Sequence, residues 1–387
     1  MTPSTERTPA MSDTPARGSD RDYDAIVIGA GFSGLAMLHH LREIGLRTIA
    51  VDGEDGIGGT WWVNRYPGVR TDSEYSYYSF SFSKEVRDEW TWTERYPSGE
   101  EVLSYLNFVA DRLDLRRDIR LNTRVESAAY DEDANTWTVY LAGGDTLTTK
   151  YLVSGMGVLS QPIFPEIPGI ETFRGEKYHT AQWPREGVDL SGKRVGLIGL
   201  GASGIQIVPV IAGQVDEFFV FQRTPNFIVE TNNDKVSEED MAWLRENYDL
   251  VYEKAANHPF GVAMEPAEHS ALEVSEDERR RIFESKWNEG GFHFANECFN
   301  DLATNHEASE LASEFIRTKI AEIVKDPDTA ELLSPRTYSF NGKRVPTGHG
   351  YYAAFNHDHV HLIDTAETPI TAITEKGVKV GDTEYEL

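Results

Sequence analysis

The apolar positions of this chain fall into one pattern written twice. Tyr23 to Gly29 (YDAIVIG) is a continuous apolar run ending on a glycine turn, Phe32 to Ile44 carries apolar residues at helical spacing, and Thr48 to Asp52 is a second apolar run. Run, glycine turn, helix, run is the signature of a βαβ unit. It recurs downstream, where Arg194 to Gly199 (RVGLIG) predicts a strand, Ala202 to Ala212 a helix and Glu217 to Gln222 the next strand. Between the two units, Tyr66 to Phe82 is rich in Tyr, Ser and Phe and reads as loop with short helical turns. Glu100 to Leu113 places Val102, Leu106 and Val109 on one helical face. Ile119 to Tyr130 and Thr136 to Leu141 alternate apolar and polar, as antiparallel strands do, and Tyr151 to Ser154 starts another strand.

Gln161 to Pro168 holds three prolines and reads as a linker. Val236 to Leu333 is charged and amphipathic, with Glu276 to Trp287 and Glu307 to Val324 as its clearest helices; strand patterns return at Val360 to Asp364 and Gly377 to Val380. The expected architecture is α/β: two Rossmann-like dinucleotide-binding domains, of the three-layer ββα type, with a helical insertion. The expected divisions are a disordered leader at 1–21, a first dinucleotide domain at 22–160, a second at 161–235 and 334–387, and the insertion at 236–333.

Composition narrows the function. The net charge of −27, from 37 basic and 64 acidic residues, argues against a nucleic-acid partner, which needs clustered Lys and Arg. No apolar run reaches transmembrane length, and the N-terminus lacks the apolar stretch of a secretory signal. The single cysteine, Cys298, excludes disulfide frameworks, CxxC redox pairs and cysteine metal sites, and with them a disulfide reductase of two-nucleotide architecture; a reducing, cytoplasmic setting fits.

The two βαβ turns carry glycine fingerprints of different ending. Gly29-x-Gly31-x-x-Gly34 leads after 23 residues to Asp52, whereas Gly199-x-Gly201-x-x-Gly204 leads after 24 to Arg223 and Thr224. The glycines permit a tight turn and let a pyrophosphate approach the helix N-terminus. An acid at the end of the second strand accepts hydrogen bonds from ribose hydroxyls, and an arginine there accommodates a 2′-phosphate. Two different dinucleotides are expected, the second being NADP.

Further stretches stand out. Gly58-Gly59-Thr60-Trp61 precedes Tyr66-Pro67-Gly68 and Asp72. Trp61 and Trp62 suit either a flavin cover or packing between loop and sheet, and Asp72, after a proline turn, suits a helix cap equally well. Phe173-x-Gly175-x-x-x-His179-x-x-x-Trp183-Pro184 lies between the nucleotide units, where His179 suits either a structural hydrogen bond or the coupling of domain motion to catalysis. His357, His359 and His361 alternate at strand spacing, so they read as structural and no metal site is expected. The Glu276 to Arg281 charge run reads as a solvated helix face.

With these motifs in order, the chain resembles the type I, class B flavin-dependent Baeyer–Villiger monooxygenases, the family of the phenylacetone and cyclohexanone monooxygenases. The linker signature from Phe173 to Pro184 and the G-G-x-W…Y-P-G…D signature from Gly58 to Asp72 match without departure. The resemblance implies FAD on Gly29, Gly31, Phe32, Ser33, Gly34 and Asp52, with Gly59, Thr60, Trp61, Asp72 and Tyr78 beside it. It implies NADPH on Gly199, Gly201, Ala202, Ser203 and Gly204, with the 2′-phosphate met by Arg223, Thr224 and Lys343. Arg344 would be the catalytic arginine, Asp72 its partner, and His179 a third functional residue. The implied reaction takes one oxygen atom from O2, through a flavin C4a-peroxide, and inserts it beside a ketone carbonyl to give an ester or lactone. A fixed cation such as Arg344 suits the stabilisation of a peroxyanion and an oxyanion.

Two departures qualify the resemblance. Ser154-Gly155-Met156-Gly157 differs from the related Ala/Thr-Gly sequence of many relatives, and relatives continue beyond the point where Glu384-Tyr385-Glu386-Leu387 closes this sequence. A short chain that holds FAD poorly and oxidises ketones weakly or not at all is therefore expected. The competing readings are a flavin monooxygenase oxygenating nitrogen or sulfur, and a non-catalytic NADP-binding fragment. Substrate identity and oligomeric state are not written in the motifs.

Overall fold

The computed structural model describes residues 21–387, so all of the expected leader but Arg21 lies outside the described residues. The chain divides into two compact units: one takes the chain up to Asp55 together with Arg117–Gly155, the other takes Gly56–Arg116 and Met156–Leu387.

In the first unit, β1 (Tyr23–Ile28), α1 (Phe32–Glu43) and β2 (Thr48–Val51) form the expected βαβ crossover. With β3 (Ile119–Arg120), β4 (Val125–Asp131), β5 (Thr136–Leu141) and β6 (Thr146–Ser154) they build one sheet of order β3-β2-β1-β6-β5-β4. The pairings β1–β2, β2–β3 and β1–β6 are parallel, whereas β5 runs antiparallel to both β4 and β6. Ile26, Ile49, Val51, Val139, Leu141 and Leu147 close its core, each apolar side chain contributing about 1.5–3 kcal/mol on burial. The run expected as one strand over Ile119 to Tyr130 is two. Asn122 turns the chain in the left-handed region at φ +52°, with its N–H bonded to the Glu54 carbonyl at 2.8 Å, so β3 extends the parallel ladder and β4 leaves it.

The second unit opens with α2 (Thr60–Val63), α3 (Lys84–Glu89) and α4 (Gly99–Arg112). A second crossover follows, β7 (Arg194–Ile198), α5 (Ala202–Ile211) and β8 (Glu217–Gln222), and then the two-residue β9 (Val229–Glu230). The insertion supplies α6 (Glu238–Asn257), α7 (Glu276–Glu289), α8 (Phe292–Glu297), α9 (His306–Ile323) and α10 (Pro327–Leu333). Ser237, Ser275, Asn305 and Asp326 cap α6, α7, α9 and α10, each accepting a backbone N–H of the first turn. The chain closes with β10 (Thr347–Gly348), α11 (Tyr351–Ala354), β11 (Val360–Asp364) and the meander β12 (Ile370–Ile373), β13 (Gly377–Val380), β14 (Thr383–Glu386). The sheet β11-β8-β7 is parallel throughout, and β10 pairs in parallel with β9. One apolar cluster runs from Ile205, Val208 and Phe218 through Phe283 and Phe294 to Ile316 and Tyr352, so the insertion and the nucleotide sheet share a core.

These units cut across the expected first domain of 22–160, because residues 56–116 belong to the second unit. The cause is specific bonding. Arg95 N–H donates to the Asp234 carbonyl at 2.9 Å, Tyr96 N–H to Asn233 Oδ1 at 2.8 Å, and the Arg95 guanidinium to the Glu289 carbonyl at 2.9 Å. Gly68, at φ +82°, lies flat on α5: a Cβ there would meet the Gln206 carbonyl oxygen at 2.4 Å.

Candidate active site

The second glycine fingerprint opens α5 beside a cavity of about 550 Å³. Gly199 turns the chain at φ +99°, and a Cβ on Gly204 would meet the Gly199 carbonyl oxygen at 2.3 Å, so helix and turn approach as closely as only glycine allows. A Cβ on Gly201 would meet nothing within 4 Å, and no side chain caps the helix there. Open space at an uncapped helix N-terminus suits a phosphate. Gly199 and Gly201 line the cavity with Arg223, Thr224, Asn226 and Lys343. Asn226 Nδ2 donates to the Leu200 carbonyl at 2.6 Å, and Lys343 Nζ lies 4.3 Å from the centre of the Tyr338 ring. Two cations, a hydroxyl and bare backbone together fit a dinucleotide with a 2′-phosphate. Ser203, counted with the dinucleotide contacts, meets the Tyr66 phenol; burial raises that phenol above its ordinary value, partly offset by the Ser203 hydrogen bond.

Lys343 is followed by Arg344, whose Nη2 pairs with Asp72 Oδ2. The arginine side chain is 68% exposed and the aspartate 16%. Asp72 caps no helix. Its Oδ1 accepts from Thr347 Oγ1 at 3.0 Å, and Gln206 Nε2 comes to 3.5 Å of the same oxygen. The β9–β10 pairing holds Thr347 in register against Val229, which fixes the strand end that follows Arg344. The result is an anchored carboxylate presenting a largely free guanidinium.

The first fingerprint repeats the same construction within its own unit. A Cβ on Gly34 would meet the Gly29 carbonyl oxygen at 1.9 Å, Gly31 stands at the uncapped start of α1, and Phe32 and Ser33 form its first turn. Asp52 follows β2, accepting from Ala30 N–H at 2.7 Å and Glu54 N–H at 2.9 Å. Each carboxylate oxygen keeps a further lone pair for a ribose hydroxyl. The glycine cradle and the acid fit a second dinucleotide.

In the second unit, Gly58 and Gly59 take φ +137° and +55° and lead into α2. Trp61 there is 8% exposed, and its ring meets Tyr78 edge-on at 5.8 Å. Burial pushes the Tyr78 hydroxyl up to about 12. Two guanidinium groups lie over the Trp62 ring, Arg65 at 4.4 Å and Arg185 at 4.6 Å. His179 begins a short turn of 3-10 helix, accepts from Ala181 N–H at 3.2 Å and lies 4.5 Å from the Phe164 ring, so its contacts are local to the linker. His359 bonds the Ala212 carbonyl at 2.7 Å, and His361 bonds Glu217 at 2.6 Å while stacking on Phe219.

Sequence reasoning missed Gln206 and Thr347, and placed Tyr66 in a motif without giving it a contact. Gln206 had one visible signal, a polar residue among Ile205, Ile207 and Val208. It also missed a half-buried charge network centred on the buried His293. His293 lies 2.9 Å from Glu74 and 2.9 Å from Glu297, while Arg95 pairs with Glu74 and Lys286 with Glu297.

The profile of the family described as "Flavin-binding monooxygenase-like" matches residues 23–260. A Baeyer–Villiger monooxygenase of Pseudooceanicola batsensis is 42% identical over 369 residues, covering 95% of this chain and 67% of that protein. A phenazine N-monooxygenase of Lysobacter antibioticus is 41% identical over 362 residues, covering 93% of this chain and 66% of its own length. Among solved structures, OTEMO in complex with FAD and NADP superposes with a TM-score of 0.92 at 38% identity, covering 95% of this chain and 70% of the other.

Proposed function

This chain belongs to the flavin-binding monooxygenase-like family, and from that premise we propose that it inserts one atom of O2 beside a ketone carbonyl, giving an ester or lactone, with FAD and NADPH as cofactors. One observation carries the reading: Asp72, held by Thr347, presents Arg344 directly after Lys343, a residue of the second fingerprint's cavity.

The chain's residues divide the work. Gly199, Gly201, Ala202, Ser203 and Gly204 would hold the NADPH pyrophosphate, and Arg223, Thr224 and Lys343 its 2′-phosphate. Gly29, Gly31, Phe32, Ser33, Gly34 and Asp52 would hold the FAD, with Gly59, Thr60, Trp61 and Tyr78 the further contacts that the family resemblance implies. When bound, NADPH supplies a hydride and the reduced flavin activates O2. Arg344 supplies a cation that stays protonated throughout, where negative charge develops on oxygen. Asp72 fixes the direction of its guanidinium and offsets part of its charge. His179 we assign to the interdomain linker, as a residue that orders it through the Ala181 bond. The ketone is a small-molecule partner. Among the described residues no helix is long and apolar enough to cross a membrane.

A visible spectrum of the purified protein, with FAD and then NADPH added under air and a cyclic ketone present, tests the reading. A flavin band that bleaches on NADPH addition, with ester formed, supports it. A protein that takes up neither cofactor refutes it. The 41% identity to a phenazine N-monooxygenase favours one second reading, oxygenation of an aromatic nitrogen; N-oxide from an N-heteroaromatic, without ester from ketones, would select it.

A further inference from the structure

Gln206 is 4% exposed and sits on α5 one turn into the helix that the second fingerprint opens. Its amide is fully used, and every partner lies in the loop that ends at Asp72. Oε1 accepts from Tyr66 Oη at 2.9 Å and from Arg70 N–H at 3.4 Å. Nε2 donates to the Arg70 carbonyl at 3.1 Å and reaches Asp72 Oδ1 at 3.5 Å. An amide has two donor hydrogens and one oxygen with two lone pairs, so these four contacts exhaust it. Gly68 makes the arrangement possible by letting the loop's backbone lie on the Gln206 carbonyl. A polar side chain in this apolar helix costs stability unless every bond is made, and here every bond goes to one loop.

We propose that Gln206 is a positioning residue: it fixes the Tyr66–Asp72 loop to the fingerprint helix and so sets the direction in which Asp72 holds Arg344. This rests on the role given to Arg344 above. Thr347 holds Asp72 from the strand side, and Gln206 holds it from the helix side. Removing the amide leaves the ion pair in place with one of its two supports.

The test is the reactivity of Arg344 toward phenylglyoxal, mapped by peptide mass spectrometry on the purified chain without cofactors. Arg174 is the internal reference, being 74% exposed and also paired with a carboxylate, that of Glu375. Gln206→Met conserves shape and removes all four contacts. It is expected to raise modification of Arg344 relative to Arg174 by at least about threefold, because the charge-assisted pair loosens. In turnover it lowers ester formed per NADPH consumed while the KM for NADPH stays within about twofold, since a merely structural lesion would move both. Should Gln206→Met not fold, Tyr66→Phe carries the test by removing one bond to Oε1, with a smaller rise expected. Unchanged relative reactivity of Arg344 in a folded variant overturns the proposal. The chemical readout needs no turnover, so absence of ester in the wild type would refute the oxygenation reading while leaving this test standing.

Discussion

Arg344 would count for little as an ordinary surface charge, since an exposed ion pair is worth about 0–1 kcal/mol. What distinguishes it is the partner. Asp72 is mostly buried and takes a hydroxyl from Thr347 on one oxygen while the guanidinium takes the other. Arg344→Ala is therefore expected to leave NADPH oxidation running and abolish ester, read by comparing NADPH consumption with product by gas chromatography; a normal ester yield refutes the role. Arg223→Ala should raise the KM for NADPH by about tenfold or more, the loss of one charge-assisted hydrogen bond of roughly 1.5–3 kcal/mol, and barely move that for NADH. Equal changes would mean the 2′-phosphate is read elsewhere. At this scale legibility followed sequence distance. Arg223 was visible from its place after a fingerprint, but Asp72 read equally as a helix cap, because its partner lies 272 residues away. Gln206 showed only as a polar residue among apolar ones, since nothing local says that a glutamine's partners lie in a loop 136 residues earlier.

Among the elements, the two βαβ crossovers were the most legible, because apolar periodicity and glycine spacing are local signals. Their tolerance is correspondingly low. Gly204→Ala forces a Cβ onto the Gly199 carbonyl oxygen, 2.3 Å away, and is expected to cost about 1–3 kcal/mol as overpacking and to weaken NADP+ binding, measured by calorimetry alongside a melting curve. The junction of the Glu74 loop with α7 and α8 was not legible, because charged residues on amphipathic helices look solvated until their partners are known. Burial alone would lower the His293 pKa, but hydrogen bonds to Glu297 and Glu74 outweigh it and push it up to about 9. Burial would raise Glu297, yet His293 and Lys286 hold it down at about 2. The signs oppose. The His293 contribution is complete below its ordinary value of 6.5 and is lost as pH rises through about 9; that of Glu297 is complete above 4.5 and is lost as pH falls through about 2. Melting temperature is thus expected to fall between pH 7 and about 9.5, and His293→Gln to flatten that decline. An unchanged slope in the variant would remove His293 from the account.

At the scale of the molecule, an acidic chain of net charge −27 carries a cavity whose cations are Arg223 and Lys343. Attraction of a phosphorylated ligand into such a site is local, and salt screens it over about 8–10 Å. NADP+ affinity is expected to fall as ionic strength rises, and to fall less in Arg223→Ala; calorimetric titrations at two salt concentrations check this. The architecture was read correctly as two nucleotide folds with a helical insertion, and the compact units divide that chain elsewhere than at residue 160, grouping residues 56–116 with the second fingerprint. Residues 56–116 were assigned by continuity with the first crossover, whereas their bonds run to Gln206, Asn233, Asp234 and Glu289. Continuity along the chain is visible in a sequence, and these long-range bonds are not. The central claim concerns the destination of one oxygen atom, and heavy-isotope O2 tests it directly. Purified protein with FAD, NADPH and a cyclic ketone under isotopically heavy O2 is expected to yield lactone carrying one heavy oxygen. NADPH consumed with only hydrogen peroxide formed, or lactone labelled from water instead, would contradict it.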